Sequence, residues 1–332
     1  MRGAGINNSA WGPCFGALNV GFLLFLFGAP FAHAGDNVYM SNTGAGTITQ
    51  INSAGSASIF ASGLNSPEGL AFDGAGNLYV ADSGDGTILK IDSAGNVSTF
   101  ASGLNGPAAL AFGQSGNLYV ATPANQSILK IDSSGNKSVF ATGIAFNTDG
   151  AHLTTDNAGN VYANTDFTIE RFDSNGNRST VASIGPGTWQ EGMAVDAAGQ
   201  LYVAWQDPGI VQGNGGLKTA FSDFPAPCAT DFHAGSDRPS DLAFDANGNL
   251  YAYFGLMIYG SGTGVDNGVL IEFGANGDNS VVATDVAGTS SICGYIAIQP
   301  ALEAVPEPAT WTMVSGLAAV LCLRRRRSRQ QG

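Results

Sequence analysis

One short motif recurs along the chain and limits what it can fold into. A polar residue, a branched aliphatic residue and a tyrosine stand at Asn37-Val38-Tyr39, Asn77-Leu78-Tyr79, Asn117-Leu118-Tyr119, Asn160-Val161-Tyr162, Gln200-Leu201-Tyr202 and Asn249-Leu250-Tyr251. The tyrosines step by 40, 40, 43, 40 and 49 residues, the length of a four-stranded propeller blade. Composition agrees. Gly makes up 47 of 332 residues and charged residues only 12%, against roughly 25% in ordinary domains. The Ala/Leu/Glu/Lys runs of long helices are missing, and the glycines follow no collagen period. An all-β chain with many tight turns remains.

Within one unit the strands can be named. Gly69-Leu70-Ala71-Phe72 is small and apolar, as an innermost strand at a crowded axis must be. Leu78 to Ala81 is the second strand, Ile88-Leu89-Lys90-Ile91 the alternating third, and Val97 to Ala101 the fourth. The first and second strands are joined by Asp73-Gly74-Ala75-Gly76-Asn77, the third and fourth by Asp92-Ser93-Ala94-Gly95-Asn96. This Asp-x-x-Gly-Asn turn recurs from Asp132, Asp156, Asp173 and Asp245, and from Asp196 with Gln200 at its end. An Asp there bonds backbone N–H groups further on, and Gly takes the left-handed position. A calcium loop is the other reading of these residues, but no bidentate Glu follows at the EF-hand distance.

The chain begins on a second-strand motif, Val38 to Ser41, with no first strand before it. It ends on a lone first strand, Tyr295-Ile296-Ala297-Ile298. Each end holds what the other lacks. The expectation is a six-bladed β-propeller over residues 35–300, closed by pairing the N-terminal strands (38–61) with the C-terminal inner strand (295–298).

The first–second and third–fourth turns then share one face and are nearly uniform. Length variation falls on the other face, in segments 144–151, 183–190, 206–216, 221–240, 255–268 and 283–293. Irregular loops on a rigid frame are where binding usually resides. On that face, the residues just before the inner strands are expected to form a rim of Glu68, Ala108, Ala151, Glu191, Ser240 and Gly294, with Asn147, Asp149 and Asp241 beside it. Glu68 and Glu191 would stand opposite each other, where oxygen ligands suit Ca²⁺ or Mg²⁺. Trp189 and Trp205 border the same face and offer surfaces for a sugar or peptide, or for core packing.

Both ends carry processing signals. Residues 1–34 read as a signal peptide: Arg2, an apolar run from Ala17 to Phe31, and the cleavable Ala32-His33-Ala34. At the other end, Pro306-Glu307-Pro308 precedes an apolar run from Trp311 to Leu323 and the cluster Arg324-Arg325-Arg326-Arg327. Thirteen helical residues cover about 20 Å, short of a bilayer core of about 30 Å. This three-part order resembles the PEP-CTERM sorting tail, here residues 301–332. The resemblance implies a Gram-negative host, transient anchoring in the inner membrane and cleavage by an exosortase after signal peptidase. The protein would then reach the periplasm, outer surface or extracellular matrix.

Six of the 13 basic residues (Arg2, Arg324 to Arg327 and Arg329) lie in these ends, whereas among the 26 acidic residues only Glu307 lies outside residues 35–304. The body is therefore more acidic than the formal −13 of the chain. Such a field repels nucleic acid and anionic lipid and suits divalent cations or a neutral glycan. With Cys14 and Cys322 in the removable ends, Cys228 and Cys293 remain, and an oxidising compartment favours a disulfide between them. His152 and His233 are far apart and form no zinc or nucleophile motif.

Leu70-Ala71-Phe72-Asp73 followed by Gly76-Asn77-Leu78-Tyr79-Val80-Ala81-Asp82 resembles the NHL repeat and the wider gluconolactonase and virginiamycin B lyase group. The lactonases of that group hold a divalent metal at the pore. The resemblance implies that Glu68 stands for their Glu, but Pro239-Ser240-Asp241-Leu242 departs from their Pro-Asp-Gly segment. Gln190-Glu191 likewise stands where a Pro-Asn-Gly would precede Gly192, and the lyase pore histidines have no counterpart. The leading expectation is a non-catalytic exported propeller whose partner is an extracellular polysaccharide, peptide or surface protein. The alternative is a metal-dependent lactonase-like hydrolase using Glu68, Asn147, Glu191 and Asp241.

Overall fold

The computed structural model describes residues 37–146, 150–183, 190–205, 217–219, 237–256, 268–274, 279–286 and 295–300. Residues 1–34, expected to be a signal segment, residues 301–332 with Pro306, Glu307, Pro308 and Arg324 to Arg327, expected to be a sorting tail, and both Cys228 and Cys293 lie outside these residues.

The described residues form small sheets numbered here around a ring. Sheet one joins Ile296–Ile298 to Val38–Asn42, Thr47–Ile51 and Ala57–Ser62. Sheet two holds Pro67–Phe72, Leu78–Asp82, Thr87–Ile91 and Val97–Ala101, and sheet three Leu110–Phe112, Leu118–Thr122, Ser127–Ile131 and Lys137–Thr142. Sheet four holds Leu153–Thr155, Val161–Asn164, Thr168–Phe172 and Arg178–Ser183, and sheet six Asp237–Phe244, Leu250–Leu256, Gly268–Phe273 and Asn279–Val286. All five are four-stranded meanders. Sheet five has three strands, Gln190–Val195, Leu201–Trp205 and Leu217–Thr219. The inner strands touch in sequence around the axis, and the last touches the first.

The expected count of six complete blades therefore needs correction. Five are complete among the described residues, and at the fifth position the third strand runs parallel to its neighbour, Leu201 facing Leu217. A tight turn gives an antiparallel pair. A parallel pair needs more chain between its strands, and eleven residues, 206–216, separate these two in sequence.

The closure matches the expectation. Val38, Tyr39 and Met40 pair antiparallel with Ile298, Ala297 and Ile296. Side chains reinforce the seam: Asn37 Nδ2 and the Tyr39 hydroxyl both donate to Gln299 Oε1, and Gln50 Nε2 donates to the Tyr39 hydroxyl. Closing the ring leaves Val38–Asn42 paired on both sides, between Thr47–Ile51 and Ile296–Ile298, where it would otherwise be an open edge.

The repeated tyrosine is the wedge between sheets. Tyr39 meets Phe60 of its own sheet and Phe72 of the next edge-to-face, with centroids 4.9 and 5.0 Å apart. Tyr79 does the same with Phe100 and Phe112, both at 4.9 Å. Tyr202 meets Phe244 at 5.0 Å. Tyr39 and Tyr79 are nearly buried and Tyr202 partly so, and each contributes apolar area as well as ring-edge attraction. Tyr162 directs its hydroxyl to Asp156 Oδ2 at 3.0 Å, as Tyr202 does to Asp196 Oδ2 at 3.3 Å. Burial first, and then the Asp156 carboxylate, push the Tyr162 phenol up to about 12.

A second repeated detail sets the twist. The third and fourth strands slip register at Ile48/Thr49, Ile88/Leu89, Ile128/Leu129 and Ile169/Glu170. A bulge adds local right-handed twist, and each of these isoleucines is fully buried behind it.

Candidate binding site in the central channel

The turn face builds itself from local hydrogen bonds. In the turn at Asp73, Oδ1 accepts from the N–H groups of Ala75 and Asn77 while Oδ2 accepts from Asn77 Nδ2. The same three bonds recur at Asp92, Asp132, Asp156 and Asp173, and those at Asp245 match. Gly76 sits at φ +79°, a region that other residues reach only under strain. Side-chain bonds from the facing Asn hold the Asp92, Asp132 and Asp173 carboxyls below their ordinary value. The carboxylates are thus engaged by their own turns, which favours the turn over a calcium loop.

The expected rim is displaced by one residue. Ala108, Ala151 and Ser240 are buried, and neither they nor Glu68 line the channel. Successive strand residues point to opposite sides, so a one-residue shift in register exchanges the inward set for the outward one. The position that does gather at the axis reads Gly69, Ala109, His152, Gly192, Asp241 and Tyr295 around the ring. Three are large and polar, three small.

The large three meet. His152 Nδ1 lies 3.4 Å from Asp241 Oδ1, and the His152 ring packs against Tyr295 with centroids 5.1 Å apart. The Tyr295 hydroxyl donates to the Ala151 carbonyl at 2.9 Å, reaching from sheet one to sheet four on the far side of the ring. Asp241 is held in place by main-chain donors: the Leu242 N–H to Oδ1 and the Ile296 N–H to Oδ2, both at 2.9 Å. His152, Asp241 and Tyr295 are 7%, 7% and 5% exposed, so the contact is a buried polar crossbar.

The small three make room for it. A Cβ at residue 192 would lie 2.4 Å from Asp241 Cα, and one at residue 69 would lie 2.3 Å from the Ala108 carbonyl oxygen. Backbone approaches backbone at both places, and only glycine permits that.

Beneath the crossbar a cavity of about 350 Å³ runs along the inner strands toward the turn face. Its wall includes a series of small residues, Ala111, Thr154, Ala194, Ala243 and Ala297, and Phe72, Phe112, Phe244 and Ile298 stand further along.

Of the sequence-predicted site residues, Asp241 is the one the structure brings to the channel. Glu68 begins its inner strand half-buried. Burial raises its carboxyl above the ordinary range, and a hydrogen bond with Ser83 of the same sheet works against that rise. Beside it, burial also raises Asp82, whose Oδ1 accepts the Asn65 N–H at 2.7 Å. Asn147 and Asp149 lie outside the described residues, as do Trp189 and the side chains of Glu191 and Trp205. Sequence reasoning passed over His152 and Tyr295. The signal was available in the inner strands themselves, where His152-Leu153, Asp241-Leu242 and Tyr295-Ile296 break a column that elsewhere opens on Gly or Ala.

Residues 64–91 match the NHL repeat, a stretch that spans the inner three strands of sheet two. No curated protein matches the chain. Among solved structures, a protein of unknown function from Bacteroides caccae superposes with a TM-score of 0.54 at 16% identity, covering 80% of this chain and 99% of that one. A chain of a nidogen/laminin complex gives 0.52 at 17% identity, with 80% and 100% covered. A gluconolactonase from Xanthomonas campestris gives 0.49 at 16%, with 75% and 85% covered. At identities this low, the two superpositions above 0.5 speak for a shared fold alone and leave activity to be argued from the site.

Proposed function

We propose that this chain is an exported β-propeller that binds a neutral glycan or a surface protein through the irregular connections opposite its turn face. The contrast between the two faces carries the reading. One is a repeated scaffold whose carboxylates are engaged within their own turns. The other carries the described strand ends Thr142, Ser183, Leu256, Gly268 and Val286, which flank connections of irregular length, and it holds the half-buried Glu68 beside Asp82 and Asp85. The strongly acidic body favours neutral or cationic partners. The N-terminal apolar run and the Pro-Glu-Pro, apolar and Arg-rich tail support export and exosortase processing.

The lactonase-like alternative needs Glu68 and Asp241 to converge on one divalent ion. The described residues do not fit that group: Glu68 bonds Ser83 away from the cavity, and both Asp241 oxygens accept main-chain N–H groups. Binding of the processed protein to an array of neutral and anionic glycans and to matrix extract tests the proposal. Capture of a neutral glycan or surface protein, weakened by replacing segment 257–267, which joins an antiparallel pair, with a short turn, is the expected result. Silence in both assays overturns it. Tight Ca²⁺ or Mg²⁺ binding by calorimetry, lost in Glu68→Ala/Asp241→Ala, would restore the hydrolase.

A further inference from the structure

We infer that the cavity beneath the crossbar is a second binding site, separate from the variable face, for a small molecule that leads with a hydroxyl or ammonium group on a compact apolar body. His152 supplies the recognition. It is more than nine-tenths buried and lines the cavity, and its Nδ1 is turned to the Asp241 carboxylate. A carboxylate beside Nδ1 favours the tautomer with the proton on that nitrogen, leaving the Nε2 lone pair free to accept. No described residue bonds Nε2, and Nε2 is not sealed from solvent. A buried acceptor in this position pairs with a ligand's O–H or N–H.

Three further features define the ligand. Asp241, at the same end of the cavity, favours a neutral or cationic head over a carboxylate. The small residues of the wall admit a narrow body, and Phe72, Phe112 and Phe244 offer apolar surface further along. At about 350 Å³ the space lies at the small end of the range for ligand pockets, about 300–1,000 Å³. The crossbar from Tyr295 to Ala151 separates this site from the rim above, so a ligand enters past the turn face.

The imidazole resonances of the processed protein report on occupancy, with the His152 signals assigned from a His152→Gln sample. Benzyl alcohol, benzylamine and benzoate serve as probes of equal size. Benzyl alcohol and benzylamine are expected to shift the His152 Nε2 and Hε1 resonances saturably, with benzoate at least tenfold weaker and His233 unmoved. Ala194→Leu, which fills the wall, should abolish the shifts, and Ala243→Val serves the same purpose should that variant fail to fold. An unmoved His152 with all three probes, shifts that survive cavity filling, or benzoate binding as well as benzylamine would each overturn the assignment. Failure here leaves the glycan and partner assays untouched.

Discussion

The Tyr295 hydroxyl and the Ala151 carbonyl, separated by 144 positions in sequence, are joined by a 2.9 Å hydrogen bond across the propeller axis. Tyr295 comes from the last described strand and Ala151 from the middle of the chain, so the bond ties opposite sides of the ring. Tyr295→Phe keeps the ring contact with His152 and leaves the buried carbonyl without that donor. We expect a loss of about 1–2 kcal/mol in denaturant unfolding. No loss would mean that the crossbar is held by packing alone.

The glycines beside the crossbar are expected to tolerate nothing larger. Gly192→Ala drives a methyl into the Asp241 backbone, and overpacking of this kind costs about 1–3 kcal/mol. Gly74→Ala is the matched control, because a Cβ there meets nothing within 4 Å. Thermal melts of the two variants should differ clearly, with Gly74→Ala close to the parent.

The tyrosine wedge predicts a graded series. Tyr79 is 5% exposed between Phe100 and Phe112. Tyr79→Ala should cost about 3–5 kcal/mol through lost burial and the hole left behind. Tyr79→Phe, which keeps both ring contacts, should stay within about 1 kcal/mol of the parent. A large loss in both variants would shift the weight from the rings to the hydroxyl.

Acid should act on the two faces with opposite sign. The Asp92, Asp132 and Asp173 carboxyls are lowered first by their Asn side chains, so their contribution is complete above the ordinary value of 3.8 and fades as pH falls below it. Glu68 and Asp82 are raised by burial. Their contribution is greatest below 4.5 and 3.8, and is lost as pH rises through their raised native values. Urea midpoints from pH 2 to 8 should therefore peak on the acid side of neutrality. Glu68→Gln should flatten the decline toward neutral pH and leave the acid limb intact.

The blade repeat was legible in the chain because its period is also its packing: Tyr39, Tyr79 and Tyr202 each fill the same gap between sheets, so one contact is written several times. The closure was legible because Val38 lacked an inner partner and Ile296 lacked an outer one. The crossbar was not. His152, Asp241 and Tyr295 each occur once, in separate repeats, and only the ring brings them together. The rim reading placed Glu68 at the axis on a register one residue out, an error the alternation of a strand turns into the wrong side. Sheet five resisted for another reason: its third strand pairs parallel, which no local alternation announces.

The pairing of Val38–Asn42 with Ile296–Ile298 also orders events in time. A chain made from its amino terminus leaves that first strand waiting until most of the polypeptide exists, since its partner stands at residues 296–298 of 332. Until then sheet one lacks its inner strand, so the ring cannot close before the residues at 296–298 have been made.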